Sequence, residues 1–192
     1  MPNIFKALGN FFLDIIETIV IALSIFLVIY LTLVQPHQVN GQSMVPTFQS
    51  GEYVLTDKVS YRFRNPERGE VIVFHAPEAA HCPKGTGCDF IKRVIGVPGD
   101  TVALQNSKYI VNGQALNESY VPADFVTLPG AYMKDRVVTL GPDEYFVSGD
   151  NRPYSSDSRA WGPISKSEIV GRAFFRYWPA NVIGMIHKAI YN

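Results

Sequence analysis

Residues 15–34 read IIETIVIALSIFLVIYLTLV, an apolar run whose one charge, Glu17, lies near its start. A helix of roughly 20 residues is about 30 Å long, the thickness of a bilayer's hydrocarbon core. The run is apolar on every face, whereas a helix packed on a soluble core keeps a polar side. A buried core helix and a cleavable leader are the alternatives. A leader would have a shorter apolar region followed by a small-x-small site, and residues 31–43 hold no Ala-x-Ala. The expectation is one transmembrane anchor over residues 13–35, after a short cytoplasmic lead at residues 1–12. Lys6 precedes the run and the next basic side chain is Lys58. The positive-inside rule then places the N-terminus in the cytoplasm and residues 36–192 on the outer face of the plasma membrane. The 17 Lys and Arg balance the 17 Asp and Glu, so there is no basic excess of the kind nucleic-acid partners require.

After Gln35-Pro36 the pattern turns to β. Residues 52–56, 70–74, 90–95, 101–104, 109–111, 136–140, 144–147 and 169–175 are short runs rich in β-branched and aromatic residues, punctuated by Gly and Pro. Asn112-Gly113 is a hairpin signal. Residues 61–67 and 76–89 read as loops, and residues 106–134 as a small subsidiary unit between two core strands. The apolar tail, residues 182–191, is too short to span a membrane and suits either a core or a membrane surface.

Cys82 and Cys88 are the two cysteines, separated by Pro83-Lys84-Gly85-Thr86-Gly87. In a reducing compartment such a pair suggests metal or redox chemistry. Two cysteines are too few for a structural zinc, and an extracytoplasmic disulfide is the simpler reading. Closing so short a loop stabilises by roughly 2 kcal/mol in the chain-entropy account.

Three stretches carry candidate chemistry. The first is Asn40-Gly41-Gln42-Ser43-Met44-Val45-Pro46-Thr47-Phe48, a serine in a Gly/Pro bend just beyond the anchor. A turn serine is the bland reading. Used as a nucleophile, a serine needs a base. The histidines His37, His75, His81 and His187 stand in stretches without catalytic character. A lysine can serve if neutral, although at pH 7 an ordinary lysine is neutral in only about one molecule per few thousand. Burial among apolar groups shifts that balance. The second stretch, Phe90-Ile91-Lys92-Arg93-Val94-Ile95, places Lys92 by strand alternation on the apolar face of Phe90 and Val94. A snorkelling lysine is the alternative there. The third, residues 149–162, is dense in hydroxyls, carboxylates and guanidinium groups, which suits either a solvated loop or a fixed ion-pair network.

Together these stretches resemble one family, the type I signal peptidases, which are membrane-anchored serine proteases using a Ser/Lys dyad. Gly41-Gln42-Ser43-Met44-Val45-Pro46-Thr47, Arg68-Gly69-Glu70-Val71-Ile72-Val73-Phe74, residues 90–100 and residues 149–162 carry the resemblance, in order and spacing. It implies Ser43 as nucleophile and Lys92 as general base, with the lysine oriented by Ser155. Asp150, Asp157, Arg159 and Arg93 would brace the site. Val39, Met44, Phe48, Phe90 and Ile91 fall where the family builds pockets for small side chains, as in Ala-x-Ala. The oxyanion hole would use the Ser43 N–H. Some members add a serine hydroxyl two residues earlier, where this chain, like other members, has Gly41.

The implied fold is mainly β: an antiparallel catalytic domain with a small β insertion behind one transmembrane helix. The implied partners are preprotein signal peptides and the lipid bilayer, with no nucleic acid, no metal and no cofactor. A self-cleaving Ser/Lys regulator of the SOS-repressor type shares the chemistry, but such proteins are soluble and usually carry a DNA-binding module. A non-catalytic anchored β domain is the other rival. If Cys82 and Cys88 form a structural bridge, changing both to serine leaves cleavage within a few-fold and lowers the melting temperature. Two free thiols in mass spectra of the unreduced protein would exclude the bridge.

Overall fold

The computed structural model describes residues 2–80 and 88–191. Helix α1, Pro2–Thr32, leads the chain. It is continuous through the residues expected as a separate lead, because nothing in residues 2–12 breaks a helix. Residues 6–30 are long and apolar enough to cross a membrane, and among the described residues nothing buries them.

Beyond α1 the fold is antiparallel β. The strands of the larger sheet are β1 (Val34–Gln38), β2 (Tyr53–Asp57), β3 (Val71–His75), β4 (Asp89–Gly96), β9 (Glu144–Ser148), β10 (Ile164–Ser165), β11 (Ile169–Trp178) and β12 (Gly184–Met185). They are ordered β1-β2-β11-β3-β4-β9-β10, with β12 added to β11. The smaller sheet, ordered β7-β6-β5-β8, holds β5 (Thr101–Gln105), β6 (Lys108–Val111), β7 (Gln114–Ala115) and β8 (Val138–Thr139). Two single-turn helices, α2 (Ser60–Phe63) and α3 (Ser158–Trp161), fill connections.

Alternation along β3 shows how the larger sheet is used. Ile72 and Phe74 pack with Val94, Tyr145, Val147 and Ile164 on one side. Val71 joins Val39, Met44, Phe48, Val54 and Ala173 on the other. The sheet curls until its edge strand β1 faces the free end of β4, and His37 Nε2 lies 3.4 Å from Asp89 Oδ2. Strand β9 pairs with β4 only from Arg93 onward. Residues 89–92 therefore present an unpaired edge toward β1, and the gap between the two is an open cleft.

The subsidiary unit is larger than the spacing of turn signals suggests. It starts at Thr101, whose run reads in sequence as a core strand, and closes at Thr139. It also shares a core with the larger sheet: Ile95 and Phe146 pack with Val102, Tyr109, Val111, Met133 and Val138. Tyr109 is fully buried, and its hydroxyl lies 3.0 Å from Ser148 Oγ. The Asn112-Gly113 hairpin forms with φ of 52° and 81°, both positive as a type I′ turn requires. The tail folds back as an extended segment. Ala189 N–H donates to Gly69 O, and Tyr191 packs beside Tyr120. Cys82 of the expected Cys82–Cys88 pairing lies within residues 81–87, outside the described residues.

Tyr109 is the keystone between the sheets, so Tyr109→Ala should cost about 4 kcal/mol, in the range for large-to-small changes at buried aromatics. The expected fall in melting temperature, read by thermal unfolding in detergent, is roughly 10 °C.

Candidate active site

The Ser43 turn is held at both ends and from below. Val39 N–H donates to Glu52 O at 2.8 Å, and Gly51 N–H returns to Val39 O at 2.8 Å. Gly41 takes φ 93°, a left-handed geometry open to glycine and strained for other residues. Met44 and Phe48 are buried in the core, and Phe48 N–H donates to Met44 O. Arg176 from β11 donates to Thr47 O at 3.0 Å and to the Glu52 carboxylate at 2.9 Å. With its apolar neighbours drawn inward, the turn leaves Ser43 half-buried at the cleft.

Lys92 meets it there. Its Nζ donates to Ser43 Oγ at 2.8 Å and to Ile91 O at 3.0 Å. The lysine is 4% exposed, and its Nζ lies 5.0 Å from the centre of the Phe90 ring. Burial pushes its ammonium down from 10.5 to about 8, against the opposing charges of Asp157 and Asp150.

Each of those carboxylates is held by an arginine. Arg93 grips Asp150 with two bonds, Nε to Oδ1 at 2.9 Å and Nη2 to Oδ2 at 2.7 Å, and its third nitrogen donates to Gly69 O. Arg159 grips Asp157 the same way, with both bonds at 2.8 Å. Burial would raise the Asp157 carboxyl, but the Arg159 hydrogen bonds and charge, helped by Gly149 N–H, hold it below its usual range. A third buried arginine, Arg152, clamps Glu118 of the smaller sheet's loop at 2.8 and 2.6 Å and donates to Gly149 O.

The loop after β9 also grips the Ser43 turn, through Asp150 and through Asn151, which sequence reasoning did not single out. Thr47 Oγ1 donates to Asp150 Oδ2 at 2.6 Å. Asn151 is buried; its N–H donates to Ser43 O at 3.0 Å and its Nδ2 to Gln42 O at 2.9 Å. Gly149 lies so close that a Cβ there would collide with Ser43 O and Ser155 Oγ. The signal was present in the motif, but nothing in the sequence says that Asn151 reaches back more than 100 residues.

The cleft encloses about 530 Å³. Val39, Phe90 and Ile91 line it, with Val54 and Val73 adding small apolar surface. Met44 and Phe48, expected at the pockets, are buried directly behind the cleft wall, packed with its lining residues Val39, Val54 and Ile91, and they anchor the turn. Ser155 lies beside Gly149 and its hydroxyl helps hold the Asp157 carboxyl low, but among the described residues it makes no bond to Lys92. Both acceptors of Lys92 lie elsewhere, on Ser43 and Ile91. The Gly41 N–H is taken by Ser50 Oγ at 3.2 Å. The Ser43 N–H has no acceptor among the described residues.

A serine hydroxyl bonded to a buried amine, at the floor of a cleft with two unpaired strand edges, is the arrangement a serine peptidase needs. The model of the family "Signal peptidase, peptidase S26" matches residues 12–178. A probable signal peptidase I-2 of Synechocystis sp. is 37% identical over 177 residues, covering 92% of this chain and 78% of the relative. Signal peptidase IB of Staphylococcus aureus is 38% identical over 181 residues, covering 87% and 90%. A crystal structure of a signal peptidase I from Enterococcus faecalis, 30% identical, aligns with a TM-score of 0.46 over 57% of this chain and 97% of that one. The chain belongs to the signal peptidase family, peptidase S26, and is a hydrolase of the serine peptidase class.

Asn151→Ala removes the amide bond to Gln42 and leaves the backbone bond to Ser43. The expected result is a roughly tenfold loss in kcat with KM little changed, since about 1.4 kcal/mol of positioning is lost. An unchanged kcat would show that the turn holds Ser43 without the amide.

Proposed function

We propose that this protein is a membrane-bound endopeptidase that removes signal peptides from preproteins after small-x-small sites, with Ser43 as nucleophile and Lys92 as general base. The observation that carries the reading is the 2.8 Å bond from Lys92 Nζ to Ser43 Oγ, made by a lysine that burial has shifted toward neutrality. In the neutral form Lys92 takes the Ser43 proton as Oγ attacks the scissile carbonyl carbon. The oxyanion is stabilised by backbone donors, with the Ser43 N–H first among them. The lysine then returns the proton to the departing amine, and the Ser43 ester remains. Water, deprotonated by Lys92, opens the ester and frees the serine. Arg93–Asp150 ties β4 to the loop after β9, and Arg159–Asp157 stiffens that loop. The Ser155 hydroxyl orients Lys92 when substrate closes the cleft, since such bonds are often loose in a free enzyme.

Val39, Val54, Val73 and Ile91 line the cleft that holds Ser43, and such apolar walls favour alanine-sized side chains at the first and third positions before the cut. Helix α1 serves as the single membrane anchor, with the catalytic domain on the outer face, where secreted chains emerge.

The test is cleavage of a preprotein by the purified enzyme in detergent. Ser43→Ala should abolish it with the fold intact. Lys92→Arg should also be inactive, because a guanidinium stays protonated at any working pH. Cleavage by the wild type should fall as pH drops through about 8, since protonation of Lys92 removes the base, and it should lose about tenfold per unit well below that value. Ser155→Ala should be milder. Replacing alanine with phenylalanine just before the scissile bond should stop cleavage. Near-normal turnover by Lys92→Arg would contradict the dyad, and equal rates for alanine and phenylalanine would contradict the pocket assignment.

A further inference from the structure

The cleft changes character along its length. Beside Ser43 its walls combine apolar Val39, Phe90 and Ile91 with Gln42 and Lys92. Some three residues along β4 the only carboxylate among its described lining residues appears, Asp89. Its side chain is 28% exposed and stands between two imidazoles from the facing and neighbouring strands. His75 Nδ1 of β3 lies 2.7 Å from Oδ1. Across the gap, His37 Nε2 of β1 lies 3.4 Å from Oδ2. That distance suits an ion pair, yet Nε2 is buried without a hydrogen bond, while His37 Nδ1 is fixed at 2.9 Å from Thr56 Oγ1. Among the described residues the carboxylate thus faces the cleft with hydrogen-bonding capacity left over.

The geometry fixes what would meet it. Strand β1 starts two residues after α1 ends, so the His37 end of the cleft is the end nearest the anchor. Asp89 lies three residues from Lys92 along β4, about 10 Å at strand spacing. We propose that Asp89 is a specificity-determining residue, a polar subsite at the anchor-side end of the cleft that meets the fourth or fifth substrate residue before the cut, accepts neutral polar or basic side chains there and rejects acidic ones. This rests on the peptidase reading above. A preprotein's apolar segment, held in the same membrane as α1, enters from this end, so residues upstream of the cut pass Asp89. An acidic side chain would face a like charge in a narrow, half-exposed site. A basic one would take the free acceptor and replace His37 as the partner across the gap. Charge pairs a few ångströms apart in such a site change affinity by roughly five- to tenfold.

The experiment uses the full-length enzyme in detergent with peptides that share one Ala-x-Ala cleavage site and differ only in Lys, Ala or Glu at the fourth and fifth positions before the cut. The expected wild-type result is kcat/KM lower for Glu than for Lys by roughly five- to tenfold, with the ratio shrinking in high salt. In Asp89→Asn the Lys-to-Glu ratio should fall to within about twofold, and in Asp89→Glu it should persist. The ratio is read within each variant, so an overall loss of rate cancels. A wild-type ratio near one, or an undiminished ratio in Asp89→Asn, would overturn the proposal while leaving the peptidase reading standing. If the wild type cut none of the peptides, including the Ala form, it is the peptidase reading that would fail.

Discussion

The two-bond pair between Arg93 and Asp150 joins everything the site needs. Arg93 is the neighbour of Lys92 on β4, so fixing one fixes the strand that carries the other. Asp150 opens the loop after β9, and it accepts from Thr47 on the Ser43 turn with an oxygen that also accepts from Arg93. One buried carboxylate thus ties the serine's turn, 103 residues away in sequence, to the lysine's strand, 57 residues away. Removing one partner of such a pair leaves an uncompensated charge in the interior, at a cost of about 3–5 kcal/mol. The same contact that stabilises the domain therefore sets the Ser43–Lys92 distance.

The second effect of the pair is electrostatic. A lysine near two aspartates would ordinarily stay protonated. Here Asp150 and Asp157 are each occupied by an arginine, so their pull on Lys92 is outweighed by burial. A shift from 10.5 to about 8 corresponds to roughly 3 kcal/mol against the ammonium form. The sign matters for stability. Between pH 10.5 and 8 the unfolded chain holds a proton that the folded one does not, so stability from this group falls as pH drops through that window and is level below it. The fold thus bears a standing cost at neutral pH, which the arginine–carboxylate clamps and the Tyr109 core help to offset. The neutral-capable amine is what that cost provides.

The strands were legible because their period is short and their ends are marked. Val71–His75 and Asp89–Gly96 form where β-branched runs meet Gly or Pro, and the apolar face around Lys92 follows from alternation alone. The smaller sheet was only partly legible. Thr101–Gln105 reads the same whether it pairs with the larger sheet or with Lys108–Val111, and only the burial of Tyr109 against Phe146 decides it. Side-chain direction in turns was not legible at all. Met44 and Phe48 flank Ser43 and read as pocket residues, but no period tells up from down in a bend, and both are buried behind the cleft wall rather than exposed in it. Partner choice was illegible for a related reason. Two Asp and two Arg within residues 149–162 suggest pairing among themselves. Asp157 does pair with Arg159, while Asp150 takes Arg93 from another strand and Arg152 takes Glu118 from another sheet.

The central claim is that burial, left uncancelled by carboxylates already held by arginines, makes Lys92 available as a neutral amine. Its most direct test is an NMR titration of the Lys92 Nζ or Cε resonance in the folded Ser43→Ala protein, assigned by comparison with Lys92→Arg. The account predicts a midpoint near pH 8, well separated from the other lysines. A midpoint at the ordinary lysine value of about 10.4 would contradict it.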